Sequence, residues 1–355
     1  LNKSKEAIYS QIRKDLKKMK KENLFSGLIT LVVGFIMFYL FLPAINIHSL
    51  GFWVFLIFLI FIYAFTASIF SLIKKRSFKI TIGPFKIFAG AFILVCAFIT
   101  LTDIACSPIF NSKSYSKRID IITDNEFTDD IEEVDFSKLP LLDKDSSTKL
   151  GDRTVGRMPE MVSQYYVSDL YTQINYDGEI VRVTPLEYNG FFKWIKNRKK
   201  GITGYIKVNS VNGTSDLVKL PKGMKYTESA YFNDYLPRLL RFKYPTLIFG
   251  TANFELDNDG NPYFIVPVFK YKAVGLKRDV KGVVIVNPVN GKTNYYKTKD
   301  VPSWVDHVYD AKLIIEQVDD WGLYQKGFFN SLFSQTGVVM TTDGYNYLVK
   351  DDDVY

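Results

Sequence analysis

Histidine and cysteine are nearly missing from this 355-residue chain, which has two of each. Cys96 and Cys106 stand ten residues apart, about 15 Å along a helix, which is farther than a disulfide reaches. No disulfide framework is therefore expected. With no cysteine after Cys106, and only His48 and His307 as imidazoles, the usual zinc ligand sets are excluded. A Ser or Thr nucleophile needs a base, and the Asp306-His307 neighbours do not by themselves imply a side-chain contact. His307 is expected to face solvent at a helix N-terminus. The patterns G-x-S-x-G, G-x-G-x-x-G and G-x-x-x-x-G-K-[ST] are also absent, which removes the nucleophile elbow and the glycine-rich phosphate loops. No metal, cofactor or catalytic residue is expected.

Acid is scarce at the start of the chain. Residues 1–112 hold Glu6, Asp15, Glu22 and Asp103 against 13 Lys/Arg, and the remainder holds 32 basic against 33 acidic residues. The large C-terminal region thus lacks the basic surplus that nucleic-acid binding needs. Long apolar runs fill the space between the early charges. After a basic segment at 1–23, with Ile8, Ile12, Leu16 and Met19 on one helical face, come Leu24–Leu42, Gly51–Ile73 and Ile87 to about Ala105. Each reaches the ~20 residues that span a bilayer core. Basic residues crowd the N-terminal segment and the second loop (Lys74, Lys75, Arg76, Lys79, Lys86), whereas the loop 43–50 has none. By the positive-inside rule the N-terminus is cytoplasmic, and three crossings put everything after Phe110 outside.

An acidic connector is expected at 111–150. Beyond it the sequence repeats itself. Asp177-Gly178 is followed by Pro185, and Asp259-Gly260 by Pro267; Gly204 leads an apolar run into Asn212-Gly213, and Gly282 leads another into Asn290-Gly291. Asp-Gly and Asn-Gly between such runs signal hairpins with type I′ turns. A third copy begins at Asp343-Gly344 and is incomplete, so the natural chain is expected to continue past Tyr355. Helices are expected at Met158–Leu170, Ser229–Phe242 and Trp304–Asp320. The first copy carries an aromatic, basic insert at Tyr188–Lys200. Glu255, Asp257, Asp259 and Gly260 mimic the start of a calcium loop, but Val266 stands where its bidentate Glu belongs.

Helix, strand, Asp-Gly, strand, then a Gly-led strand into V-N-x-x-N-G resembles the PepSY module. The residues that carry the resemblance are Asp177, Gly178, Gly204–Asn212 and Gly213 in one copy, and Asp259, Gly260, Gly282–Asn290 and Gly291 in the other, with Asn209 and Asn287 where that family has Asp. The whole chain also resembles multi-pass membrane proteins of Gram-positive bacteria. The resemblance implies a non-catalytic, envelope-facing domain that binds or restrains peptidases.

The expected fold class is α+β: three N-terminal transmembrane helices plus an extracytoplasmic domain of tandem PepSY-like helix/antiparallel-hairpin repeats. Its divisions are 1–23, a basic cytoplasmic segment; 24–110, the spans; 111–150, the connector; 151–250 and 251–303, two repeats; and 304–355, a helix and the incomplete third. The expected function is that of a membrane-anchored binding or regulatory protein of the cell envelope, not an enzyme. Its expected partners are membrane lipids and another envelope protein or cell-wall component, and not nucleic acid. Phe191, Phe192, Trp194, Trp304 and Trp321 are the candidate binding residues, since large aromatic rings serve as interface anchors; the same rings also suit packing between helix and sheet. The alternatives are a surface hydrolase with paired carboxylates and an accessory subunit of a membrane transport complex.

Overall fold

The computed structural model describes the backbone of residues 2–74, 78–122, 140–342, 349–350 and 353–354, and the side chains of 21–74, 81–122 and 140–342. It divides into two units, Leu1–Ala105 with Ala273–Leu276, and Cys106–Lys272 with Lys277–Tyr355.

The first unit contains α1 (Asn2–Phe41), α2 (Leu50–Ile73) and α3 (Phe78–Cys106). Within them Lys21–Phe41, Leu50–Ile73 and Thr81–Cys106 are long and apolar enough to cross a membrane. The basic segment and the first apolar run form one unbroken helix. The third helix begins earlier than expected and carries Pro84 inside it, so Lys79 and Lys86 belong to its first turns and not to a loop. The buried positions of α2 are small, Ala64, Ala67, Ser68 and Ser71. Small residues let helices approach closely where lipid supplies no hydrophobic drive, and here Ser68 Oγ donates to the Thr81 carbonyl at 2.8 Å.

In the second unit α4 (Pro108–Tyr115) follows α3 after one residue. The acidic run 124–135 lies outside the described residues. The expected connector does not extend to 150, because α5 (Lys144–Gly156) starts within it. Asp143 is its N-cap, accepting the Ser146 N–H at 2.7 Å, and that bond holds the Asp143 carboxyl below the usual carboxylate range. The helix expected at Met158–Leu170 is instead the single turn α6 (Pro159–Val162) followed by strand β1 (Tyr165–Val167).

Two five-stranded antiparallel sheets follow, with the same strand order. In the first, β3 (Glu179–Tyr188) pairs with β4 (Ile202–Asn209), and β4 with β5 (Ser215–Met224); β1 and β2 (Thr172–Tyr176) share the other edge of β3. In the second, β8 (Pro262–Lys270), β9 (Asp279–Val286) and β10 (Thr293–Lys297) stand likewise, with β6 (Ile248–Phe249) and β7 (Asn253–Leu256) sharing the other edge of β8. The register matches too. Pro185 stands opposite Tyr205 and Pro267 opposite Val283, in each case the residue after the leading glycine. The two sheets share one core, in which Tyr205, Phe254 and Phe264 meet edge to face. The Phe254 N–H donates to Thr172 Oγ1 at 3.1 Å, across 82 residues of sequence.

The turns divide into two kinds. Asp177 and Gly178 both have positive φ (55° and 74°), which fits the expected type I′ turn. At Asn212-Gly213, Asp259-Gly260 and Asn290-Gly291 only the glycine is left-handed. Asn209 Oδ1 accepts the N–H groups of Val211 and Asn212, and Asn287 Oδ1 those of Val289 and Asn290. These longer turns are held by a side chain and are not type I′; the five-residue turn at Asp257–Asn261 is organised the same way by Asp257.

The leading glycines are there for closeness. A Cβ on Gly282 would lie 2.1 Å from the Tyr296 carbonyl oxygen, and one on Gly204 2.8 Å from that of Val218. Gly282→Ala is expected to destabilise the fold by about 3 kcal/mol, the upper end for overpacking. Gly156→Ala, which meets nothing within 4 Å, should stay within about 0.5 kcal/mol of wild type. Equal thermal midpoints for the two variants would contradict this account.

Helix α8 (Leu236–Lys243) is shorter than the expected Ser229–Phe242, because Pro237 fixes its first turn and Phe232 breaks the chain upstream. Helix α9 (Ala311–Tyr324) starts seven residues later than expected, with Asp310 as N-cap. Residues 301–308 are held elsewhere, over the outer face of the second sheet. Of the third copy, Asp343-Gly344 lies outside the described residues, and β11 (Val349–Lys350) pairs with β12 (Asp353–Val354).

Candidate binding surface

The insert at Tyr188–Lys200 contains a helix. Gly190, at φ 87°, turns the chain into helix α7 (Phe191–Asn197). On a helix, residues three apart share a face. Phe191 and Trp194 point inward and Phe192 and Ile195 outward: Trp194 is 2% exposed and Phe192 81%. Trp194 is thus the floor of the surface and not a free ring. It contacts Phe191 (5.8 Å between centroids), Tyr231 (5.5 Å) and Phe232 (5.7 Å), and the Arg198 guanidinium lies 5.1 Å from its ring centroid.

Phe232 completes the surface at some conformational cost. Its φ of 53° is left-handed, an outlier for a bulky side chain, and such strain persists only where the surroundings impose it. Arg238 does so by donating from Nη1 to the Phe232 carbonyl at 2.6 Å. The ring is left 54% exposed. Phe192, Ile195, Tyr231 and Phe232 therefore form an exposed apolar ridge on a rigid aromatic base. Beside it are Lys193, Lys196, Arg198, Lys199 and Lys200, and none of them forms an ion pair among the described residues.

The other two candidates lie elsewhere. Trp304 is half-buried, 5.1 Å from the Tyr263 ring, and covers the outer face of the second sheet. Trp321 is half-buried in α9. Of the five candidate residues only Phe191, Phe192 and Trp194 come together.

His307 does not face solvent as expected. Its side chain is 12% exposed, and Nδ1 lies 3.2 Å from Oε1 of the fully buried Glu255. That carboxylate also accepts the backbone N–H groups of Asp306 (2.9 Å) and His307 (3.1 Å), while Asp306 Oδ2 accepts the Asn175 N–H at 3.1 Å. Glu255 is therefore a structural anchor that ties 306–307 to β7, and its side chain takes no part in the Asp257–Asn261 turn. Burial alone lowers the His307 pKa, but the hydrogen bond and charge of Glu255 outweigh it and leave the pKa raised.

No group of three or more His, Cys, Asp or Glu side chains that could hold a metal ion occurs among the described residues. Comparison with protein-family models, curated proteins and solved structures finds no match to this chain.

Sequence reasoning missed Tyr231, Phe232 and Arg238. Tyr231-Phe232 adjoin each other within an expected helix, and nothing local marks the left-handed backbone, which depends on a hydrogen bond from Arg238.

Proposed function

We propose that this chain is a membrane-anchored binding protein of the cell envelope, with a cytoplasmic N-terminus and the two-sheet unit outside, and that the α7 ridge holds a partner protein. The observation that carries the reading is the strained, exposed Phe232 beside Phe192 on a buried Trp194 base. Exposed apolar patches of this kind mark interaction sites, and aromatic anchors in rigid surroundings dominate interface energetics. The flanking basic side chains suit an acidic partner segment with apolar side chains. The two sheets are proposed to be tandem PepSY-like modules, a reading supported by their common strand order and by the matched turns at Asn209 and Asn287.

Orientation is tested by thiol accessibility. In a background with Cys96 and Cys106 replaced, Asp145→Cys is expected to react with an impermeant maleimide on intact cells, and Lys74→Cys only after permeabilisation. The reverse pattern overturns the outward placement.

A further inference from the structure

A second site lies at the start of the two-sheet unit, apart from the aromatic ridge. A cavity of about 760 Å³ opens between α4 with the residues after it and the β8–β9 hairpin. Lys113, Lys117 and Arg118 line one wall, and Lys270, Lys272 and Lys277 the other. The one acid of the lining is Asp279, which pairs with Lys270 at 3.0 Å. Arg118 is built into the fold. Its side chain is 7% exposed, paired with Asp320 behind the cavity and donating to the Arg278 carbonyl, while its buried Nε has no hydrogen-bond partner among the described residues. Lys277 is held over the Tyr115 ring, 5.3 Å from its centroid, and donates to Ser114 Oγ. Lys113, Lys117 and Lys272 are exposed and have no ion-pair partner among the described residues.

With Lys270 paired to Asp279 and Arg118 to Asp320, the ammonium groups of Lys113, Lys117, Lys272 and Lys277 around one cavity repel one another unless an anion occupies it. Burial, followed by the charges of Lys272 and Arg118, already pushes the Lys277 pKa down. Several lysine point charges with a buried arginine suit a tetrahedral oxyanion. The volume falls in the range of small-molecule pockets, so the cavity has room for more than a bare ion.

We infer that this cavity binds a phosphate group carried on a small organic moiety, either the headgroup of an anionic phospholipid or a soluble phosphate ester. Chain connectivity bears on the source. Lys113 is seven residues past Cys106, the last residue of α3, so it lies within about 25 Å of that helix end even if extended. An anionic membrane surface attracts basic residues that follow a span so closely in sequence.

The test uses the full chain in neutral detergent at roughly 0.15 M salt, titrated by calorimetry with dioctanoyl phosphatidylglycerol, with glycerol 3-phosphate and, as control, with dioctanoyl phosphatidylcholine. Combined Lys113→Gln, Lys117→Gln and Lys272→Gln substitutions, all at exposed positions, should weaken binding of the anionic ligand by about tenfold or more. The triple Lys219→Gln, Lys222→Gln and Lys225→Gln, exposed on and just after β5, should change it less than about twofold. Tighter binding of the phosphatidylglycerol assigns a lipid headgroup, and equal or tighter binding of glycerol 3-phosphate assigns a soluble ester. Binding of neither below about 1 mM, equal losses in the two triple variants, or equal binding of the phosphatidylcholine overturns the inference.

Discussion

Trp194→Ala is expected to cost about 4 kcal/mol of stability, within the range for truncating a large buried aromatic, and to lower Tm by roughly 10 °C for a unit of this size. The ring is 2% exposed and is the common neighbour of Phe191, Tyr231 and Phe232, so its loss leaves a cavity beneath the whole ridge. Phe192→Ala should behave in the opposite way. That ring is 81% exposed, and its removal is expected to change stability by less than about 0.5 kcal/mol while weakening partner binding by about 2 kcal/mol, the threshold of an interface hot spot. Thermal unfolding of the two purified variants checks the first contrast. A Phe192→Ala variant as unstable as Trp194→Ala would mean that the ridge is core and not surface.

A second large effect is expected at the buried Glu255–His307 pair. Glu255→Gln replaces a carboxylate that accepts two backbone N–H groups and faces His307. It should destabilise the fold by about 3 kcal/mol, as breaking a buried ion pair does. The pH dependence follows from the raised His307 pKa. A raised folded-state value contributes stability that is fully present below the ordinary histidine value of about 6.5 and is lost as pH rises through the folded value. The loss cannot exceed about 1.4 kcal/mol per pH unit for one proton. Denaturation at about pH 5 and about pH 9 should therefore show this contribution in wild type and not in His307→Gln. An identical pH profile for the two proteins would contradict the pairing.

The hairpins were legible because their signals are local. Asp177-Gly178 needs positive φ at both positions, and both have it. Gly204 and Gly282 recur at equal distances before their turns because each faces a neighbouring carbonyl with no room for a Cβ. The three apolar helices were legible from length alone, although Pro84 did not delay the start of α3 as a break would. Other signals were local but read differently: Asp143 followed by Ser146 is an N-cap pattern, hidden within a charged stretch that resembled a linker. The start of α9 was not legible, because Asp306 and His307 give their N–H groups to Glu255, about fifty residues away in sequence. The candidate surface was half legible. The spacing of Phe191, Phe192, Trp194 and Ile195 separates two helical faces, but which face is buried depends on Tyr231 and Phe232, and their placement depends on Arg238.

The docking claim is tested most directly by placing a photo-crosslinking amino acid at Phe192 in the full-length protein and irradiating intact cells. One dominant adduct with an envelope protein is expected, the cross-linked peptide should be acidic with apolar side chains, and the adduct should fade when Phe232→Ala is added. The same probe at Lys219 should give none. No adduct above the Lys219 control, or adducts with cytoplasmic proteins alone, would contradict the account.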